Sequence, residues 1–243
     1  FNCMILFYDK NILKSSLNFE LSFEQSHHLH NVLRKRKGFK LTITNGNGLE
    51  WLGEINSYKN KKVELKKIKS KVHKKSIYKI HLVIAPAKNI KRIEWMLEKL
   101  TEMGISSITP ILCNNSERKD LKTERLKKIM ISALKQSKQF FLPELNHMIS
   151  FKDYIKGVKN PFYIAHCKNE SLKNLFEIDF KNKENTILIG PEGDFSEEEI
   201  KLSLNSGGIS VSIGNNILRT ETAGIIACNI ISVKQQLKNM QTF

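Results

Sequence analysis

The sequence predicts an α/β protein in two parts: a small β-rich module, then a larger domain built on a parallel sheet. Three observations carry this. Up to about residue 72, short stretches of alternating apolar and polar residues are separated by glycine-rich turns. From residue 77 the rhythm changes to near-continuous apolar runs, each leading into an amphipathic helix pattern. Strands that are apolar on both faces and alternate with helices belong to parallel sheets covered on both sides. The chain has 243 residues, enough to bury a sizeable core. It contains no apolar run near the roughly 20 residues needed to span a bilayer.

The first part opens with FNCMILFYDK, too short in its apolar stretch for a secretory signal. In SFEQSHHLHNVLRKRKG, Ser22 stands three residues before Gln25, a capping-box spacing, and Leu29, Val32 and Leu33 follow at helical spacing. Gly38 closes the element. In FKLTITNGNGLEWLGEI, Leu41 and Ile43 alternate with polar residues, NGNG is a strong turn signal, and Trp51 and Ile55 resume an extended pattern. SYKNKK reads as a second turn and VELKKI as a further strand, so the module reads as a small barrel. The polar, basic KSKVHKKS, residues 69–76, reads as a linker.

The second part begins with the strand KIHLVIAPA. The following helix places Ile90, Ile93, Leu97 and Leu100 on one face, with Gly104 as its C-terminal cap. SITPIL is a second strand, and TERLKKIMISALKQSK a second amphipathic helix with Thr123 as candidate cap. PFYIAHC, NTILIGP and ISVSIG are three more apolar strands, and helices begin near Ser196 and Thr220. The expected domains are residues 1–72 and 73–243.

Forty Lys and Arg against 24 Asp and Glu give a net charge of +16. Residues 1–75 hold 16 of the cations and 6 of the acids, so the excess is concentrated in the first third. A dense positive field favours a polyanion, and nucleic acid is the usual one. Lysine-rich composition is the plain alternative. Cys3, Cys113, Cys167 and Cys228 are far apart, and no pair has metal-ligand spacing. They read as reduced, buried thiols in a cytoplasmic protein that holds no metal.

The chemistry is expected at three strand ends, because ligands of such sheets bind beyond the carboxyl ends of the strands. These ends are IAHCKNE, ILIGPEGDF and VSIGNNILRTET. Gly190 and Gly193 permit close backbone approach, and Pro191 fixes the turn. Ser196 and Glu199 form a second capping box. Three glutamates at that helix start complement the helix dipole and argue against a phosphate there. The turn is therefore not a nucleotide phosphate cradle; it suits an adenosine or a ligand with a positive centre. Arg219, Thr220, Glu221 and Thr222 crowd the start of the last helix.

ILIGPEGDFSEEEI and SIGNNILRTETAGIIA together resemble the small-subunit ribosomal RNA uridine-N3 methyltransferases of the SPOUT class. The resemblance extends in order through HHLHNVLR, EWMLEKLTEMGI, ITP, SER and ALKQS, and so covers nearly the whole chain. It implies a PUA-like RNA-binding barrel followed by an α/β domain tied in a deep trefoil knot. It also implies S-adenosylmethionine held mainly by backbone, a homodimer, and methyl transfer to N3 of one uridine in 16S rRNA of the small ribosomal subunit. Carried over by motif, the cofactor-binding residues are Ala165 and His166; Ile189, Gly190, Pro191, Glu192 and Gly193; and Ile213, Gly214, Ile217, Leu218 and Arg219. Arg219 is also the candidate for stabilising charge on the uracil, and Glu221 for taking its proton; a first-turn carboxylate serving the helix dipole is the plain alternative for Glu221. His28, Arg34, Lys35, Arg36 and Arg118 are the RNA-binding candidates, with His27, His30 and Lys37 beside them. The chain departs from the family pattern at Lys135, where a glutamate is common before the glutamine, at FNCMI, where an arginine is common, and in GPEGD, where GPEGG is commoner. A SPOUT ribose 2′-O-methyltransferase and a non-catalytic RNA-binding or ribosome-assembly protein are the competing readings.

Overall fold

The structure is a computed structural model that describes residues 5–168 and 172–241. The chain falls into two compact units. One comprises residues 1–75 together with 131–142, the other residues 76–130 and 143–243.

The first unit is built from β1 (Leu6–Tyr8), β2 (Asn18–Glu20), α1 (Phe23–His27), β3 (Lys40–Thr44), β4 (Leu49–Lys59) and β5 (Lys62–Val72). Its sheet runs β1-β3-β4-β5-β2; β1 pairs parallel with β3, and the other pairs are antiparallel. The capping box forms as the sequence predicts, with Ser22 accepting from the Gln25 amide. The helix then loosens into a single π turn, His28–Val32, instead of continuing to Gly38. Helix α1 spans the open side of the sheet: the Gln25 side chain donates to Tyr8 O at 2.8 Å, and the Val63 amide donates to Ser26 Oγ at 2.9 Å. Inside lie Trp51, Leu65, Ile43 and Leu29, all fully buried. The indole N–H of Trp51, which would otherwise be stranded, donates to Ser16 O at 3.0 Å. The predicted linker is corrected at its start: β5 continues to Val72, paired with Leu49 of β4. Residues 139–142 complete this unit. Gly48 N donates to Phe140 O and Leu142 N to Gly46 O, and a side chain at Gly48 would strike the Phe141 ring.

The second unit contains β6 (Lys79–Ile84), α2 (Ile90–Glu102), β7 (Ser107–Leu112), the start of α3 (Thr123–Gln136), β8 (Glu144–Leu145), β9 (Ile149–Ser150), α4 (Phe151–Gly157), β10 (Phe162–Ala165), β11 (Glu184–Ile189), α5 (Glu197–Asn205), β12 (Gly208–Val211) and α6 (Thr220–Gln241). The strands run β12-β10-β11-β6-β7-β8, all parallel, with β9 on the far end of β7. The chain thus moves outward from β6 through β7, then returns to insert β11 between β6 and β10. Register matters more than order here. Ile84 pairs with Ile189, Ile189 with Ala165, and Ala165 with Val211, so four strands end level. Buried Val83, Ile164, Leu188 and Phe162 form the core on one face with Phe151 and Phe195. Helix α6 lies against β6, β11 and α2, and Gly224 lets it approach closely, since a Cβ there would come within 3.1 Å of Ile84. No helix of the described residues is long and apolar enough to cross a membrane.

Truncating Trp51 removes the largest fully buried side chain of the first unit. Trp51→Ala should lower unfolding free energy in urea by about 3–5 kcal/mol, as large core truncations do.

Candidate functional site

The level strand ends let four loops begin on one plane. Three are those the sequence picks out. Residues 166–168 follow β10, residues 190–196 follow β11, and residues 212–219 follow β12; Asn169 and Glu170, also part of the first predicted stretch, lie outside the described residues. The structure joins these loops by hydrogen bonds. The Cys167 amide donates to the Asp194 carboxylate at 2.9 Å, and Thr220 Oγ1 donates to Gly190 O at 3.2 Å. The loop after β6 joins too, its Lys88 amide donating to Glu192 Oε1 at 3.0 Å.

Asp194 explains the departure of GPEGD from GPEGG. Its φ is +61°, in the left-handed region that favours glycine. Aspartate is among the few side chains that visit this region readily. Here its carboxylate accepts from both the Cys167 and Phe195 amides. Gly190 is required for a different reason: a Cβ there would meet the Phe195 ring at 3.1 Å and its backbone nitrogen at 3.2 Å. The turn is packed from behind by Asn115, whose amide donates to Gly193 O and Asp194 O.

His166 is buried at the end of β10. The Lys168 amide donates to its Nδ1 at 3.3 Å, so the ring proton sits on Nε2, 2.9 Å from Ser210 Oγ. Burial pushes its pKa below the ordinary 6.5, against the opposing pull of Asp194. Cys167 corrects the expectation of buried cysteines, since it is exposed; Cys113 and Cys228 are buried, and burial raises both thiols, Cys228 to about 12. Cys3 lies outside the described residues.

Arg219 and Glu221 part company at the start of α6. Arg219 precedes the helix with its side chain exposed, whereas Glu221 is 5% exposed and turns inward. Its Oε1 lies 3.6 Å from Arg92 Nε on α2, while Oε2 is buried with no hydrogen-bond partner. The sequence reading missed Arg92, for which only the folded chain supplies a signal. Ile213 and Leu218 are partly exposed, Gly214 is open, and Ile217 is 86% exposed. Arg118 is held by backbone: its Nε donates to Ala87 O at 3.1 Å, and Nη2 donates to Lys88 O. Its guanidinium therefore shapes the loop after β6. Glu199, buried, fixes the loop carrying Arg118 by accepting from the Asn114 amide at 2.8 Å.

The other RNA candidates lie in the first unit. His28 and Arg34 are exposed; Arg34 has φ +51°; Lys35 Nζ stands 4.6 Å over the Phe39 ring; and Arg36 donates to His30 O at 3.3 Å.

Residues 73–232 match the RNA methyltransferase domain family, and residues 22–68 match the RNA methyltransferase PUA domain. The ribosomal RNA small subunit methyltransferase E of Rickettsia conorii is 32% identical over 232 residues, covering 90% of this chain and 93% of its own. The chain belongs to the ribosomal RNA small subunit methyltransferase E family. A probable rRNA-methyltransferase from Porphyromonas gingivalis superimposes with a TM-score of 0.89 at 33% identity, over 97% of this chain and 100% of its own. A Legionella pneumophila protein solved in complex with S-adenosylmethionine superimposes with a TM-score of 0.84 at 30% identity, over 95% and 97%. The family thus combines a SPOUT-type α/β unit with a PUA-type module, as the sequence motifs imply.

Two tests follow from the loop geometry. Asp194→Ala removes the carboxylate that accepts from two backbone amides and strains a left-handed position, so stability should fall by about 2 kcal/mol in urea. His166 binds its proton more weakly folded than unfolded. Its contribution is therefore present above about pH 6.5 and is lost as pH falls toward its lowered folded value. Urea midpoints measured from pH 7.5 to 5 should decline less in His166→Gln than in the parent.

Proposed function

We propose that this chain transfers a methyl group from S-adenosylmethionine to N3 of a uridine in 16S rRNA of the small ribosomal subunit. The observation that carries the reading is the backbone cup formed by the bonded loops after β10, β11 and β12. The residues present fit such a cofactor. Main chain is exposed at Gly193, and Ile217 offers an apolar wall. Glu192 and Asp194 supply negative charge for a sulfonium. Ala165, His166, Ile189 to Gly193, and Ile213 to Arg219 are the residues we assign to the cofactor, Arg219 through its backbone alone. The trefoil knot belongs to this reading; the return of the chain to insert β11 between β6 and β10 accords with it.

When bound, the cofactor supplies an electrophilic methyl group. The chain's own residues must orient the uracil, remove its N3 proton and stabilise the charge left on the ring. Arg219, exposed and cationic, is assigned to that charge. Glu221 is assigned to the proton, because Oε2 is a buried carboxylate oxygen left without a partner. Such an atom is costly to bury and is tolerated where it has work to do. Arg92 holds the other oxygen and so aims the carboxylate.

The domains are assigned as residues 1–72 for RNA binding and 73–243 for methyl transfer, with His28, Arg34, Lys35 and Arg36 toward phosphate or base, and Arg118 shaping its loop. A homodimer is part of the proposal. Val233, Leu237 and Met240 form one exposed apolar stripe on α6, the kind of surface a partner copy covers. A cytoplasmic location follows from the ribosomal substrate.

Incubation with labelled S-adenosylmethionine and unmodified 30S particles, followed by mass spectrometric mapping, should give methylation at uridine N3. Label on a ribose 2′-oxygen, or none, would refute it. Arg219→Ala and Glu221→Gln should each lower kcat by about 10²-fold or more, with cofactor affinity by calorimetry within about threefold.

A further inference from the structure

Three breaks in regular backbone converge in the first unit. The helix after α1 takes a π turn at His28–Val32. Arg34 then adopts a left-handed conformation, reversing the chain so that Lys35 to Lys37 follow His30 around one rim. Across from them the β4–β5 ladder slips: Ile55 pairs with Leu65 and Ser57 with Glu64, leaving Asn56 as an extra, bulged residue. π turns and β-bulges each carry a cost in lost ladder bonds and recur where a protein aims side chains at a ligand. His30 of the π turn, Lys35 to Lys37 just after Arg34, and the bulged Asn56 line the same cavity, of about 320 Å³. That volume is at the lower end of ligand pockets, about 300–1,000 Å³.

The cavity's chemistry is selective. Its floor is apolar, from Ile55 and Val63, and none of its lining residues is acidic. His30 and Tyr58 stack ring on ring, with centroids 3.9 Å apart and planes within 5°, so they form a two-layer aromatic stack whose outer face is the platform. Arg36 is fixed by its bond to His30 O, and the His30 ring by its 2.8 Å contact with Asn31. Asn56 and Ser57 both donate to Glu64 Oε2, which fixes their side chains at the rim. A platform, three cations and oriented amide and hydroxyl groups match the parts of a nucleotide: base plane, phosphate and base edge.

We infer that this cavity is a receptor for a single unstacked nucleotide of the RNA, separate from the uridine that receives the methyl group. The base lies against the His30–Tyr58 platform, its phosphates meet Lys35, Arg36 and Lys37, and Asn56 and Ser57 face its edge. Double-helical RNA is excluded, because its bases are stacked and its reachable groove offers backbone hydroxyls rather than base faces. The PUA-type unit therefore binds a loop or bulge of its substrate. The inference rests on the reading of the chain as RNA-directed.

The test uses the full chain and a single-stranded RNA hexamer with one 2-aminopurine, whose fluorescence is quenched on stacking. A duplex of the same sequence is the comparison. The parent should quench the hexamer and bind it at least about tenfold more tightly than the duplex. Tyr58→Ala should weaken hexamer binding about tenfold, the scale of one lost stacking contact, while Tyr58→Phe restores it. Arg36→Ala should reduce the salt dependence by about one phosphate contact while leaving the quench in place. Calorimetric affinity for S-adenosylmethionine should be unchanged in all three variants. Parent-like hexamer binding by folded Tyr58→Ala, or equal affinity for the duplex, would overturn the inference. The readout involves no methyl transfer. Quenching without methylation would therefore remove the proposed reaction and leave the receptor, whereas methylation without a Tyr58 effect would do the reverse.

Discussion

Four parallel strands whose last residues pair with one another set the geometry of the second unit. Ile84, Ile189, Ala165 and Val211 stand side by side, so the loops that follow leave the sheet at one height. Backbone amides and carbonyls that would point to solvent in staggered loops are instead met by side chains of the neighbouring loops: the Asp194 carboxylate accepts from the Cys167 amide, and the Thr220 hydroxyl donates to Gly190 O. A backbone cup is specific without long side chains, and its main-chain groups lose little entropy on meeting a ligand because they are already ordered. The two acidic helix starts add to this. The one on α5 rejects anions, and the one on α6 carries a buried carboxylate held from behind by Arg92.

The first unit differs in having irregular backbone where the second is regular. Its sheet and core are ordinary, with Trp51 at the centre. The departures from regularity fall in segments that present cations and aromatic rings on one side and core residues on the other: Leu29 lies within the π turn and Ile55 beside the bulge, and both are buried. Anchored by those buried side chains, the irregular backbone is held in one conformation by the core beneath it.

Much of this was readable in the residues. Both capping boxes form, at Ser22–Gln25 and Ser196–Glu199, because a cap depends on neighbours three positions away. The apolar strands of the second unit and the glycine turns of the first are equally local. What escaped depends on distant partners. The basic end of β5 resembles a linker because its lysines face solvent; the backbone ladder to β4, which no side chain announces, keeps it a strand. Strands β8 and β9 are two residues each, too short for any period to show. Arg118 reads as a free cation until Ala87 and Lys88 offer their carbonyls, and Arg92 has no signal until α6 brings Glu221 to it.

The first unit is discontinuous in sequence, since residues 139–142 seal the edge formed by Gly46 and Gly48. A nascent chain emerging from the ribosome therefore cannot complete this unit when residue 75 appears; it must wait for residue 142. At translation rates of about 5–20 residues per second, that delay is several seconds. Throughout it, the Gly46–Gly48 turn waits without its covering aromatics, and the second unit has begun to emerge before the first is whole. Cleavage at the junction after residue 75 would likewise strand Phe140 and Phe141 on the wrong fragment, so this protein should resist division into two independent halves.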